Sequence, residues 1–128
     1  MENYLTELAK YQKKINANPG QLETVIRVRN LIEHNFSENL DLEALSKDRF
    51  VSKYHLLRLF RKYYGQTPKQ YLISTRLNKS KEYLREGMGV TETCFAVGFE
   101  SPSSFSKLFK SRNGVSPREF RKRAIFDK

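Results

Sequence analysis

Residues 52–71 read SKYHLLRLFRKYYGQTPKQY, and 49 residues later, over 101–120, the chain writes the same pattern again as SPSSFSKLFKSRNGVSPREF. Ser52 falls on Ser101, Arg58 on Lys107, Leu59 on Leu108 and Phe60 on Phe109; Gly65 then falls on Gly114, Thr67 on Ser116, Pro68 on Pro117 and Tyr71 on Phe120, without a gap. A period near 50 residues marks a repeated supersecondary unit, and two copies suggest a paired reader instead of a solenoid. Each copy parses as helix, stop, helix. Ser52 and Ser101 stand where an N-cap hydroxyl would take up orphan amides, and Pro102 suits the first helical position. Leu56, Leu59, Phe60 and Tyr63 follow the spacing of a buried helical stripe, as do Phe105, Leu108 and Phe109. Gly65 and Gly114 suit left-handed C-terminal positions. Thr67-Pro68-Lys69-Gln70 and Ser116-Pro117-Arg118-Glu119 both match a capping box with proline at the helix start.

Outward from the repeat, the rest of the chain is read as helical. Residues 2–17 carry Tyr4, Leu8, Tyr11 and Ile15 at helical spacing, which predicts an amphipathic helix closed by Asn18-Pro19-Gly20. Its role is packing on the domain or, alternatively, a dimer contact. Residues 21–36 make the next helix, with Leu22, Val25, Ile26, Val28, Leu31, Ile32 and Phe36 as its apolar face. Asp41 is placed to cap a helix over 42–47, and 48–51, with Phe50 plugged inward, turn into the Ser52 helix. That arrangement is a helix-turn-helix. A long helix over 68–86 packs through Leu72, Ile73, Leu77 and Leu84 and spans roughly 28 Å. Thr91 is expected to cap a short helix through Val97 with Cys94 and Phe95 buried, and the last helix runs from Pro117 to about Ala124. The fold expected is all-α: two helix-turn-helix subdomains, 21–67 and 87–128, joined by the 68–86 helix, with 1–20 as an added N-terminal helix and loop.

Composition narrows the partner. Lysine and arginine number 24 against 14 acids in 128 residues, giving a net charge of +10 and a pI near 9.8. Such an excess favours a polyanion, most often nucleic acid. Residues 65–128 carry 13 basic and 6 acidic side chains, and residues 1–64 carry 11 and 8, so the excess sits mostly in the second half. The single cysteine excludes an internal disulfide framework and fits a reducing cytosol. No signal peptide and no apolar run near 18 residues appears, so the expected location is cytoplasmic and nucleoid-associated, with no membrane partner.

With each apolar stripe turned inward, Tyr54, Leu57, Arg58 and Arg61 share one outer face of the first helix, and the 49-residue shift maps them onto Ser103, Ser106, Lys107 and Lys110. Arginine or lysine can bond guanine O6 and N7, hydroxyls can meet several base edges, and an exposed leucine can touch a thymine methyl. Two such faces in register point to double-stranded DNA. Phosphate contacts are expected from Ser52, Lys53, His55 and Arg61 in the first copy and from Ser101, Ser104, Lys110 and Arg112 in the second. His55 reads equally as a surface histidine, and Arg118, Arg121, Lys122 and Arg123 as a solvated helix end, with phosphate binding the minority reading. Two reading helices need centres roughly 34 Å apart to enter successive major grooves, and the 68–86 helix supplies a spacer of that order, so a monomer could bridge two half-sites.

The second copy, Ala96-Val97-Gly98-Phe99-Glu100-Ser101 through Phe105-Ser106-Lys107-Leu108-Phe109-Lys110 to Gly114-Val115-Ser116-Pro117, resembles the AraC/XylS-type DNA-binding domain, and the likeness extends over about 22–124. The resemblance implies seven helices in two helix-turn-helix subdomains and a bacterial transcription regulator, most often an activator that touches RNA polymerase. By motif position it implies base contacts at Tyr54, Leu57 and Arg58, and at Pro102, Ser103 and Lys107. Pro102 departs from the pattern, because it has no amide to donate, so readout by the second copy is thinner or directed at the backbone. Family members commonly carry an effector-binding or dimerisation domain. This length leaves no room for one, so the expectation is a stand-alone member or the DNA-binding part of a longer regulator, with no small-molecule effector site.

Two rival classes lack support in the residues. For an enzyme, Cys94 sits in an apolar helical pattern as core, His34 and His55 have no carboxylate constellation, and no glycine-rich phosphate loop or paired metal-ligand motif exists, so neither metal nor cofactor is expected. A non-specific cationic module that binds RNA or bends DNA is the alternative, and it would leave two register-matched faces without purpose.

Overall fold

The computed structural model describes residues 19–41, 43, 45–46 and 52–126, and among them every regular element is α-helical. The helices are α1 (Pro19–His34), α2 (Lys53–Tyr64), α3 (Pro68–Arg85), α4 (Val90–Ala96), α5 (Pro102–Asn113) and α6 (Pro117–Phe126). The all-α expectation holds. The expected helix over 2–17, Leu42, the turn at 48–51 and the Phe50 plug lie outside the described residues. Chain contacts divide the described residues into two compact units, one built from 19–34 with those of 40–71, the other from Asn35–Asn39 with 72–126.

In the first unit α1 packs on α2. Leu22, Val25, Val28 and Ile32 of α1 and Leu56, Leu59, Phe60 and Tyr63 of α2 are buried, as the two stripes predict. Helix α1 starts two residues earlier than the sequence reading places it. Pro19, read there as part of a loop, is its first residue, because proline needs no amide partner at that position and its fixed φ suits a helix. The Leu45 amide bonds the Asp41 carbonyl at 3.1 Å and opens a helical turn, with Leu45 buried. Tyr71, at the start of α3, stacks edge-on to Phe60 at 5.7 Å, and its hydroxyl donates to Glu33 of α1.

The second unit is organised around an apolar cluster of Leu77, Leu84, Cys94, Val97, Phe99, Phe105 and Phe109. Four rings run through it in series: Phe99 to Phe105 at 5.3 Å, Phe105 to Phe109 at 5.8 Å and Phe109 to Phe120 at 5.4 Å. Cys94 is fully buried, which pushes its thiol pKa up and keeps it an inert core residue.

Helix α4 corrects two expectations. Its N-cap is Gly89 without a side-chain bond, so Thr91 lies inside the helix instead of capping it. Phe95 is 53% exposed, whereas Thr93 is fully buried with its hydroxyl unpartnered. Val90, Thr93, Cys94 and Val97 recur at helical spacing, so geometry places Thr93 inward and turns Phe95 out despite its apolarity.

Candidate nucleic-acid interface

Both candidate reading helices are built by the same local chemistry. Ser52 has extended backbone dihedrals, and its Oγ accepts from the His55 amide at 3.1 Å; Ser101 does the same for the Ser104 amide at 3.3 Å. Each bond satisfies one of the amides that a helix start leaves orphaned. At the other end Gly65 (φ 70°) and Gly114 (φ 79°) adopt the left-handed conformation and bond back to Arg61 and Lys110. The following helix starts then diverge. Thr67 and Gln70 close a reciprocal capping box, with bonds of 2.9 and 3.0 Å. Ser116 accepts from the Glu119 amide at 3.1 Å, but Glu119 turns its carboxylate forward to Arg123 at 3.2 Å.

Burial fixes which sides of α2 and α5 face solvent. On α2, Lys53, Tyr54, Arg58 and Arg61 are exposed, Tyr54 at 71%. His55 and Leu57 are half-buried, so Leu57 is a shoulder of the outer face, less open than the exposed leucine expected from sequence. On α5, Pro102, Ser103, Ser104, Lys107, Lys110 and Arg112 are exposed, Ser106 is half-buried and Ser101 stays half-buried in its capping role. Neither helix carries an acidic residue, so each presents an uninterrupted positive row. The two rows differ in character. That of α2 combines an aromatic ring and a leucine with guanidinium groups, and that of α5 combines hydroxyls with lysines. Ser101 and Ser103 share a hydroxyl contact of 3.0 Å at the start of α5, and Arg112 donates to Ser74 of α3 at 2.8 Å, which fixes one edge of its guanidinium.

The basic tail of α6 is not uniformly solvated. Arg121 donates to the carbonyls of Gly87 and Met88 through bonds of 2.9–3.2 Å, tying α6 to the loop that precedes α4. That corrects its reading as part of a solvated helix end, which holds for exposed Arg118 and Lys122. Arg76 of α3 was not singled out by the sequence at all. Its Nε and Nη2 donate to the carbonyls of Phe36 and Glu38 at 2.7 and 2.8 Å, and its guanidinium lies over the Phe99 ring at 5.6 Å. Burial pulls its pKa below the ordinary arginine value while Glu100 acts in the opposite direction. Nothing in periodicity marks either arginine, because their partners lie more than 30 residues away in sequence.

Among the described residues no group of histidine, cysteine, aspartate or glutamate could hold a metal ion, and no helix is long and apolar enough to cross a membrane.

A family model described as a helix-turn-helix domain matches residues 45–123. The chain belongs to the AraC/XylS-type helix-turn-helix family. Among AraC-type relatives, the HTH-type transcriptional activator RhaS of Escherichia fergusonii is 37% identical over 107 residues, covering 80% of this chain and 38% of RhaS. The chain spans about a third of the length of the curated relatives it matches, for example 37% and 29% of two transcriptional regulators from Bacillus subtilis and Pseudomonas aeruginosa. Two solved AraC-type folds superpose closely. The DNA-binding domain of AdpA, determined in complex with a target DNA, gives a TM-score of 0.75 at 27% identity and covers 81% of this chain and 96% of that one. The C-terminal domain of AraT, a response regulator from Geobacillus stearothermophilus, gives 0.74 at 31% identity, covering 77% and 84%.

Proposed function

We propose that this chain binds double-stranded DNA sequence-specifically as the DNA-binding part of a bacterial transcription regulator, with α2 and α5 each entering a major groove. The observation that carries this reading is the pair of serine-capped, acid-free helices, built to one pattern and presenting outward positive rows, in an AraC-type chain of net charge +10. In this reading Arg58 and Lys107 bond guanine edges, Ser103 and Ser106 offer hydroxyls, and Tyr54, Leu57 and Pro102 make apolar base contacts. Ser52, Lys53, His55 and Arg61, and Ser101, Ser104, Lys110 and Arg112, then hold phosphates and set register. One chain engages two half-sites about one helical turn apart as a monomer, and residues 2–17 are the candidate segment for any dimer.

Activation through RNA polymerase follows the family likeness and the activator name of RhaS. Function in the cytoplasm without cofactor, effector or enzymatic step completes the reading. The domain organisation that goes with it is 21–67 and 87–128 as the two readers, 68–86 as their spacer and 1–20 as an appendage.

The test is selection of bound sites from a random duplex library at near-physiological salt. Two short enriched blocks about one turn apart are expected. Absence of enrichment would sink the reading in favour of a non-specific cationic binder. With roughly 6–10 phosphates engaged, affinity for the selected site should also fall on the order of 10³–10⁵-fold between 50 and 200 mM salt.

A further inference from the structure

Segment Asn35–Asn39 follows α1 in sequence yet belongs to the unit that contains α5. It is longer than its counterpart. Residues 35–40 separate α1 from the helical turn opened by Asp41, whereas 86–88 alone separate α3 from the turn opened by Gly89. The added length supplies two carbonyls, of Phe36 and Glu38, and both are taken by Arg76. The other side of that guanidinium covers Phe99, which stacks on Phe105 of α5. Beside it Gly98 has φ 101°, and a Cβ there would stand 2.9 Å from the Ser37 carbonyl and 3.0 Å from the Arg76 guanidinium. Thus the turn between α4 and α5 is seated directly against Arg76 and the 36–38 backbone.

We infer that Arg76, clamped on segment Asn35–Asn39, is a positioning residue that sets the pose of α5 and so the sequence preference of the second reader. The inference rests on the reading of α5 as a DNA-contacting helix. A lysine at position 76 would keep charge and stem, but a point ammonium cannot serve two carbonyls in a fixed fork while lying flat on a ring. Phe36, packed on the apolar cluster of this unit, ties the same segment to that core.

Site selection with the wild-type chain, Arg76→Lys and Phe36→Ala tests this, each variant first checked for a cooperative thermal transition. Duplexes in which one selected block is scrambled are then used as binding probes. The wild-type chain should discriminate roughly tenfold or more at either block, as a single wrong base pair already does in such sites. Arg76→Lys should keep discrimination at the block read by α2 and lose most of it at the block read by α5, with Phe36→Ala losing less in the same direction. An even loss of affinity on all duplexes, with both blocks still selected, would make Arg76 a stabilising residue only and overturn the inference. If Arg76→Lys does not fold, the Phe36→Ala selection decides by the same criterion. A wild-type selection with no second block would remove both the inference and the two-reader proposal beneath it. The two failures are therefore distinguishable.

Discussion

The two units carry the same helical pattern and fill it with different chemistry. Position for position, Leu56 of α2 answers to Phe105 of α5, Tyr64 to Asn113, and Tyr71 to Phe120. In the first unit the core is largely aliphatic, and its aromatic edge is polar: Tyr71 bonds Glu33, and Arg29 lies over Tyr64. In the second unit four phenylalanines stack in series, and Lys81 and Arg85 cover the last of them. The outer faces differ as well, with a bulky apolar and guanidinium row on α2 and a serine and lysine row on α5. Between the copies the caps Ser52/Ser101 and the stops Gly65/Gly114 are identical, as are Leu59/Leu108 and Phe60/Phe109, while the other packed positions named above and the outer faces differ.

The widest difference is expected in the cores. Phe105→Ala should cost about 3–5 kcal/mol and Leu56→Ala about 2–5 kcal/mol, because both side chains are fully buried and truncation leaves a cavity. Urea unfolding followed by circular dichroism measures both. A smaller loss at Phe105 than at Leu56 would mean that the ring series collapses around the gap, and the contrast drawn between the two cores would fail.

The reading faces come next. Arg58→Ala should cost about 1–3 kcal/mol in binding and relax preference at one base pair, since a guanidinium fork can grip guanine at two points. Lys107→Ala should cost less at its base pair, because an ammonium contributes a point charge. Quantitative binding to single-base-pair variants of the selected site reads both. If Arg58→Ala weakens every duplex equally, the arginine is a phosphate contact and the asymmetry between the rows disappears.

Glycines offer a comparison inside the second unit. Gly114 sits in open space, so Gly114→Ala should cost about 1–2 kcal/mol for the left-handed conformation alone. Gly98→Ala adds a collision with the Ser37 backbone and should cost more than Gly114→Ala in the same unfolding measurement. Equal losses would show that the 35–39 segment yields. The first copy has Arg49 where the second has Gly98.

Much of this was legible because the sequence states it locally. Ser52, Ser101, Gly65, Gly114 and the Thr67–Gln70 box mark helix ends through bonds that span three or four residues, and the stripes on α1 and α2 follow from periodicity. The family was legible in the second copy for the same reason. What was not legible depends on distant partners or on competition for space. Arg76 and Arg121 look like any surface cation until their carbonyl partners, 33 to 40 residues away, are in place. Phe95 looks like core until helical phase assigns that place to Thr93. Pro19 looks like a loop signal until a helix is found to begin on it.

The smallest effect concerns the polar edge that only the first unit has. Tyr71→Phe makes position 71 match Phe120 and removes the hydroxyl bond to Glu33, which should cost about 0.5–1.5 kcal/mol at neutral pH. The substitution also carries a pH signature. Burial first, then the Glu33 bond and charge, raise the Tyr71 pKa above the ordinary tyrosine value of about 10. The folded chain therefore keeps the phenolic proton at pH values where the unfolded chain releases it. Below pH ~10 this contribution is fully present, and above it stability falls as pH rises, because the native state binds the extra proton. Phenylalanine has no proton to lose, so urea unfolding of Tyr71→Phe should show a shallower decline above pH ~10 than the wild-type chain, and the two stabilities should converge. Parallel declines would mean that Tyr71 ionises as freely folded as unfolded, and the polar edge would then be no firmer than the ring that replaces it in the second unit.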